Sequence, residues 1–387
     1  MHVNHVNHAA HPHGMFARPV GKPGSAAQRI LILSRHDYRT KRRASVHFIA
    51  EALAAQGHHV DFLSIGFSRL SRKRGDSRLF LEDRANRWET VDGVNSFLWR
   101  SPWHAVDVGP RFIRQRLGPV YDLWSRLSCR ALDDAARQAS IIFVESGTAP
   151  MFLARLRRIA PRARIVYRAA DLLPTVGVHP HVQKVLERDA AMIDLIVAVA
   201  RPMLPHFAAF HDRAVFLSHG VDRRRLSASS PNPYRRSGNV VTAGSMLFDA
   251  QIIATAAEHF PRLDFHLIGT PGGTFPSNVH LHAEMPFAQT LPYLQHADIG
   301  VAPYRPGPGT EYLVDSSLKL LQFGALGLPA VCPAFAAGDH ALRFGYAPDD
   351  RDSIIAAFEG ALAADPRPLP VPDWSEVAER LVEIALG

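Results

Sequence analysis

Short apolar runs alternate along the chain with segments whose apolar residues return every three or four positions, the pattern of strands joined by helices. Ile30 to Leu33 is the first run. Polar and charged residues from Ser34 to Arg43 follow it. Val46, Ile49 and Leu53 then recur at helical spacing, Gly57 stands where a helix C-cap belongs, and Val60 to Ile65 resumes a strand. Runs at Ile141 to Val144, Ile165 to Tyr167 and Leu195 to Val199 each adjoin a helix-like segment, which predicts a parallel sheet with helical crossovers. The pattern restarts at Val240 and Val241, with a helix near Ile252 to Phe260 and strands at Phe265 to Ile268, Val279 to Leu281, Ile299 to Ala302 and Ala330 to Cys332. A helix from Ser317 to Leu326 is expected between the last two. A proline-rich stretch, Pro366 to Pro372, precedes an amphipathic closing helix, Trp374 to Leu386, with Ser375 as its expected N-cap.

These elements predict an α/β protein with an N-terminal domain over residues 28–218, a C-terminal domain over 219–366 and a closing segment, 367–387, packing back toward the first domain. Residues 1–27 carry His2, His5, His8, His11 and His13 among Pro, Gly and Ala without apolar periodicity, and read as a disordered leader whose histidines are solvated.

Composition narrows the class. With 47% hydrophobic and 21% charged residues the chain has the balance of a globular protein. No apolar stretch reaches the length of about 18 residues that spans a bilayer. Cys129 and Cys332 lack metal-ligand spacing, and the N-terminus lacks an apolar signal core, so a reducing cytoplasmic setting is expected. The net charge of +8 is unevenly spread: residues 1–218 hold 32 basic and 18 acidic side chains, residues 219–387 hold 12 and 18. The basic excess therefore belongs to the first domain and suits an anionic surface.

Open parallel sheets bind ligands beyond the carboxyl ends of their strands, so loops after strands are where chemistry is sought. The segment Ser316 to Pro329 opens a helix with serines, places Lys319 in its first turn and ends it with Gly327. Exposed amides, the helix dipole and an ammonium together suit a diphosphate. An ordinary capped helix with a solvated lysine is the alternative. Asp350-Arg351-Asp352 precedes the helical run Ile354 to Leu362 and reads as a helix start, not a metal motif.

Lys319-Leu320-Leu321-Gln322 followed by Leu326-Gly327-Leu328-Pro329-Ala330-Val331 resembles the nucleotide-sugar signature of GT-B glycosyltransferases, and His219-Gly220-Val221-Asp222 resembles their interdomain segment. Leu31 to Arg43, Tyr167 to Pro174 and Pro303-Tyr304 narrow the resemblance to the inverting, membrane-associated β-glucuronosyltransferases of xanthan assembly, over residue 28 to the end. Glutamine stands at position 322 where that family usually has Glu.

The resemblance implies two Rossmann-like domains facing across a cleft and catalysis without a metal or other cofactor. It implies UDP-glucuronate as donor and a mannose-terminated, polyprenyl-diphosphate-linked oligosaccharide as acceptor, at the cytoplasmic face of the plasma membrane. Carried over by motif, Lys319 and Tyr304 would hold the donor phosphates and Gln322 the ribose. Glu284 and Met285 would read uracil, and Gly244, Ser245 and Met246 would form the first donor-side loop.

Inversion needs one base for the acceptor hydroxyl proton. Asp171, after an apolar strand of the N-terminal domain, is the candidate. Burial there raises its pKa while Arg168 opposes the rise, and an N-cap or a salt bridge to Arg168 is its structural alternative. Glu145 is the reserve base, and His36 and Asp37 are third. Arg69, Arg72, Lys73, Arg74 and Arg78 interleave with Phe67, Leu70, Leu79 and Phe80. A second group holds Trp103, Arg111, Phe112, Ile113, Arg114, Arg116, Leu117, Tyr121 and Trp124. Both read as a membrane-contact surface.

Nucleic-acid binding is a weaker reading of the same charge, because no recognised module accompanies it. An oxidoreductase lacks its glycine fingerprint: Ser34-Arg35-His36-Asp37 follows the first strand, and Gly269-Thr270-Pro271-Gly272-Gly273 has the wrong spacing. A UDP-sugar epimerase of the same shape would use the same donor groove and lack an acceptor.

Overall fold

The computed structural model describes residues 26–41, 43–106 and 116–387. The histidine-rich leader, but for its last two residues, and Arg111, Phe112, Ile113 and Arg114 lie outside the described residues.

Eight strands form the first sheet: β1 (Arg29–Ser34), β2 (His59–Phe67), β3 (Trp88–Val91), β4 (Val94–Arg100), β5 (Ile141–Glu145), β6 (Arg164–Ala169), β7 (Leu195–Ala198) and β8 (Ala214–Phe216). Their order is β3-β4-β2-β1-β5-β6-β7-β8, and every pair is parallel except the β3–β4 hairpin. The second sheet holds β9 (Asn239–Ala243), β10 (Asp264–Ile268), β11 (Val279–His282), β12 (Ile299–Val301), β13 (Ala330–Pro333) and β14 (Arg343–Tyr346) in the parallel order β11-β10-β9-β12-β13-β14. Two α/β units of GT-B type result.

The central strands are apolar without alternation because helices cover both faces. On β1, Leu31 and Leu33 join one core while Ile30 and Ile32 join another. The first core runs on into the second unit, where it takes in Val241, Ile268, Tyr304 and Tyr312. Apolar packing therefore continues through the junction. The order of strands reverses between β1 and β5 in one sheet and between β9 and β12 in the other, and these reversals open the crevices where ligands bind.

The helix Trp374–Leu386 lies on the first sheet beside Ser45–Ala55, with Trp374 stacked on Phe48 at 5.4 Å and Val377, Ala378, Leu381 and Val382 buried. Its cap is Asp373, not Ser375: the Asp373 carboxylate accepts from the Ser375 amide and Glu376 closes a capping box. The two chain crossings between units are joined, since the Val221 N–H donates to Pro372 O at 2.9 Å and the Trp374 N–H to Val221 O at 3.1 Å. Gly220 makes this approach possible, because a Cβ there would lie 2.9 Å from the Trp374 nitrogen.

Candidate functional site

On the second unit, the loops at the carboxyl ends of β9 and β12 are tied to each other. Phe248 bridges Tyr304, the Asp249 N–H donates to Pro303 O at 2.8 Å and the Arg305 N–H to Leu247 O at 2.7 Å. Gly244 turns the chain out of β9 at φ 90°, a conformation that favours glycine, and donates its N–H to Ile268 O at 2.8 Å. Ser245 is half-buried and Met246 exposed beside it. Glu284 and Met285 follow β11 on the same edge, drawn in by the Gly269 N–H donating to His282 O at 3.0 Å.

The helix Leu318–Leu326 points its N-terminus at this edge. Ser317 caps it by accepting from the Leu320 amide, and Gly327 ends it at φ 73°. The half-buried Lys319 ammonium donates to Thr242 Oγ1 at 3.2 Å and sits 5.2 Å from the centre of the Tyr304 ring, next to the loop after β9. Tyr304 departs from its expected role as a direct phosphate ligand. It is buried, and its hydroxyl shares a 2.6 Å hydrogen bond with Ser317, so it supports the helix end from beneath. Gln322 is half-buried one turn along, and its side chain makes no hydrogen bond to another described residue.

On the first unit, Asp171 follows β6 and is half-buried. Its Oδ1 accepts a 2.9 Å hydrogen bond from the hydroxyl of Tyr312, which comes from the other unit. Burial pushes its pKa up to about 6; the Tyr312 bond and then the charges of Arg168 and Arg35 oppose the rise. A carboxylate so tuned ionises near neutrality and still takes a proton readily. It makes no ion pair with Arg168.

Arg168 pairs with Glu145 instead, Nη1 lying 3.1 and 3.0 Å from the two carboxylate oxygens, while Nη2 reaches Ser45 Oγ at 3.1 Å and His219 Nδ1 at 3.2 Å. This overturns Glu145 as a reserve base. Burial raises its pKa, but the side chain is enclosed and both oxygens are engaged. His219 is held neutral, because burial and the charge of Arg168 push its pKa well below the usual range. Asp37 is likewise removed as a base: it is enclosed and bound to Arg39 at 2.8 Å. His36 stays exposed at the end of β1.

The basic group divides. Arg69, Arg72, Lys73 and Arg74 are exposed around the short helix Leu70–Lys73, with Leu70 and Phe80 exposed at 37% and 57%. Arg72 also pairs with Glu82 at 2.6 Å. Arg78 does not belong to this surface: it is buried, chelates Asp76 and donates to the carbonyls of Arg35, Ile65 and Gly66. Tyr121 and Trp124 are core residues, and Trp103 is half-buried against the same core. The helix Gly118–Ser125 exposes Pro119, Val120 and Leu123.

Sequence reasoning missed Tyr312, Thr242 and the Arg168–His219 contact. Tyr312 stands 141 positions from Asp171, a separation that no local pattern bridges. Among the described residues no group of three His, Cys, Asp or Glu side chains is placed to hold a metal ion, and no helix is long and apolar enough to cross a membrane. Asp350 accepts from the Ser353 amide as the N-cap of Arg351–Leu362, in keeping with its reading as a helix start.

Residues 32–199 match the model of the family described as glucuronosyltransferase GumK, N-terminal domain. The chain is 38% identical, over 93% of its length and 91% of the relative's, to the UDP-glucuronate:glycolipid 2-beta-glucuronosyltransferase of Xanthomonas campestris pv. campestris. Among solved structures, sucrose-phosphate synthase from Thermosynechococcus elongatus matches with a TM-score of 0.59 at 13% identity, over 92% of this chain and 95% of that one. A UDP-forming trehalose-phosphate synthase from Burkholderia xenovorans matches with a TM-score of 0.59 at 12% identity, over 93% of this chain and 100% of that one. At such identities the two structures bear on the fold alone.

Proposed function

The chain belongs to the glucuronosyltransferase GumK family, and from that premise we propose that it transfers glucuronate from UDP-glucuronate to a glycolipid with inversion, Asp171 acting as base. The UDP-sugar carries an α linkage and the relative's product is named as β, so one displacement suffices. The acceptor hydroxyl gives its proton to Asp171 as its oxygen bonds to the anomeric carbon. The bond from that carbon to the β-phosphate oxygen breaks on the opposite face, and UDP leaves with the electron pair. Lys319 and the amides opening Leu318–Leu326 are suited to the charge that develops on the departing diphosphate.

The observation that carries this reading is that Asp171 of one unit is bonded by Tyr312 of the other, seven residues before Lys319. On this reading base and anion site face one cleft. Gly244, Ser245, Met246, Glu284, Met285 and Gln322 share the donor edge and are proposed to hold the nucleotide and sugar, with no metal required.

The acceptor we propose is a mannose-terminated oligosaccharide on a polyprenyl diphosphate, of the kind used in exopolysaccharide assembly, reached at the cytoplasmic face of the membrane. Exposed Leu70 and Phe80 among Arg69, Arg72, Lys73 and Arg74 support peripheral docking on anionic lipid. A panel of UDP-sugars offered with a lipid extract, with and without chelator, tests the reading. Lipid-dependent transfer from UDP-glucuronate that survives chelation is expected. Isomerised UDP-sugar made without lipid would point to an epimerase, and loss of transfer in chelator would overturn the metal-free mechanism.

A further inference from the structure

Asp171, on the first unit, takes a side-chain hydrogen bond from the opposite unit. Tyr312 donates to its Oδ1 at 2.9 Å, and among the described residues no hydrogen bond is made to Oδ2. One oxygen is thus fixed and the other is open to an acceptor hydroxyl. Tyr312 is 3% exposed and packs in the core that runs through the junction, with its hydroxyl also 3.3 Å from Thr175 Oγ1. From Tyr312 the chain runs directly through one helical turn, Leu313–Ser316, into Ser317, which caps the helix bearing Lys319. The group that touches the base and the group suited to the departing diphosphate share one short segment.

We propose that Tyr312 is a positioning residue for the base: from the donor unit it orients Asp171 and keeps it ionised, so that the base is complete only when the donor unit is seated against the acceptor unit. The inference rests on Asp171 being the base. It explains why a carboxylate lacking an ion pair can work at neutral pH. Burial alone would protonate it, and a charged partner as close as the one on Glu145 would weaken it as a base. A neutral phenol does neither. Burial and the charge of Asp171 push the Tyr312 pKa up, so it stays a donor throughout the working range.

The other ionisable groups around Asp171 are Arg168 and Tyr167 on β6, Glu145 on β5 and Arg35 after β1. Arg168 and Arg35 also favour the ionised form, whereas Glu145 is matched by its own pairing with Arg168. Of the groups that favour the ionised form, Tyr312 contributes most. Removing its hydroxyl therefore raises the Asp171 pKa. Because the base works only when deprotonated, the acid limb of the rate profile must move to higher pH.

Tyr312→Phe, which keeps the ring, is assayed for kcat against pH beside wild type and Asp171→Asn. The acid limb is expected to move up by about one unit, the scale of a hydrogen bond to a charged group. The loss should be roughly tenfold below the limb and shrink at higher pH, with the KM for UDP-glucuronate little changed. A 3-fluorotyrosine at position 312, a stronger donor of the same shape, should move the limb down and serves if the phenylalanine variant fails to fold. An unmoved limb in either protein, with Asp171→Asn inactive, overturns the role of Tyr312 alone. Near wild-type turnover in Asp171→Asn overturns the base reading and this one with it.

Discussion

The ends of β5 and β6 present two carboxylates in neighbouring loops of the same sheet, and they have opposite fates. Glu145 is enclosed with an arginine across both of its oxygens. Asp171 is half-buried, with a neutral phenol on one oxygen. Burial raises the pKa of both. The partner decides what each can do: a buried full charge turns a carboxylate into a structural tie, while a single uncharged donor leaves it reactive. If Asp171 is the base, what marks it out is that its second oxygen is free to meet an acceptor, more than its position at a strand end.

The largest expected effect lies on the structural side. Glu145→Gln leaves Arg168 charged and buried without its counterion, a change that costs about 3–5 kcal/mol of stability. Denaturant unfolding should show that loss, while turnover per folded molecule stays near wild type. Unaltered stability with lost turnover would invert the roles of the two carboxylates. A somewhat smaller effect is expected on the donor side. Lys319→Met removes the ammonium next to the loop after β9 and should lower kcat by roughly a hundred- to a thousandfold, the range seen for a lost charge-stabilising donor. A weakened donor KM with unchanged kcat would limit Lys319 to binding.

Much of the architecture was legible because strands buried on both faces must be apolar without interruption, as at Ile30 to Leu33 and Ile141 to Val144. The β3–β4 hairpin escaped notice although its turn, Asp92-Gly93 with φ 49° and 79°, carries a recognised hairpin signal. Edge strands such as Trp88–Val91 are only partly buried and lack the continuous run that betrays a central strand. The basic stretch taught a different lesson. Composition grouped Arg78 with its exposed neighbours, but its guanidinium is consumed by three carbonyls and Asp76. Tyr121 and Trp124, three apart on one helix, were read as an interface when that spacing equally describes a buried face.

The proposed site was half legible. Asp171 and Lys319 stand out because they follow strands or open a helix, which are local features. Tyr312 and the pairing of Arg168 with Glu145 and His219 depend on residues brought together from distant segments. The Asp373 cap was missed for a smaller reason: Asp373 and Ser375 are both good caps, and the reciprocal Glu376 bond selects the aspartate.

The most direct measurement is titration of UDP-glucuronate into Asp171→Asn by calorimetry, with turnover of the same protein measured on a lipid-linked acceptor. If Asp171 is the base on the acceptor side, donor affinity stays near wild type while kcat falls by at least about a hundredfold. Turnover close to wild type, or a donor affinity lost in step with it, would contradict the account.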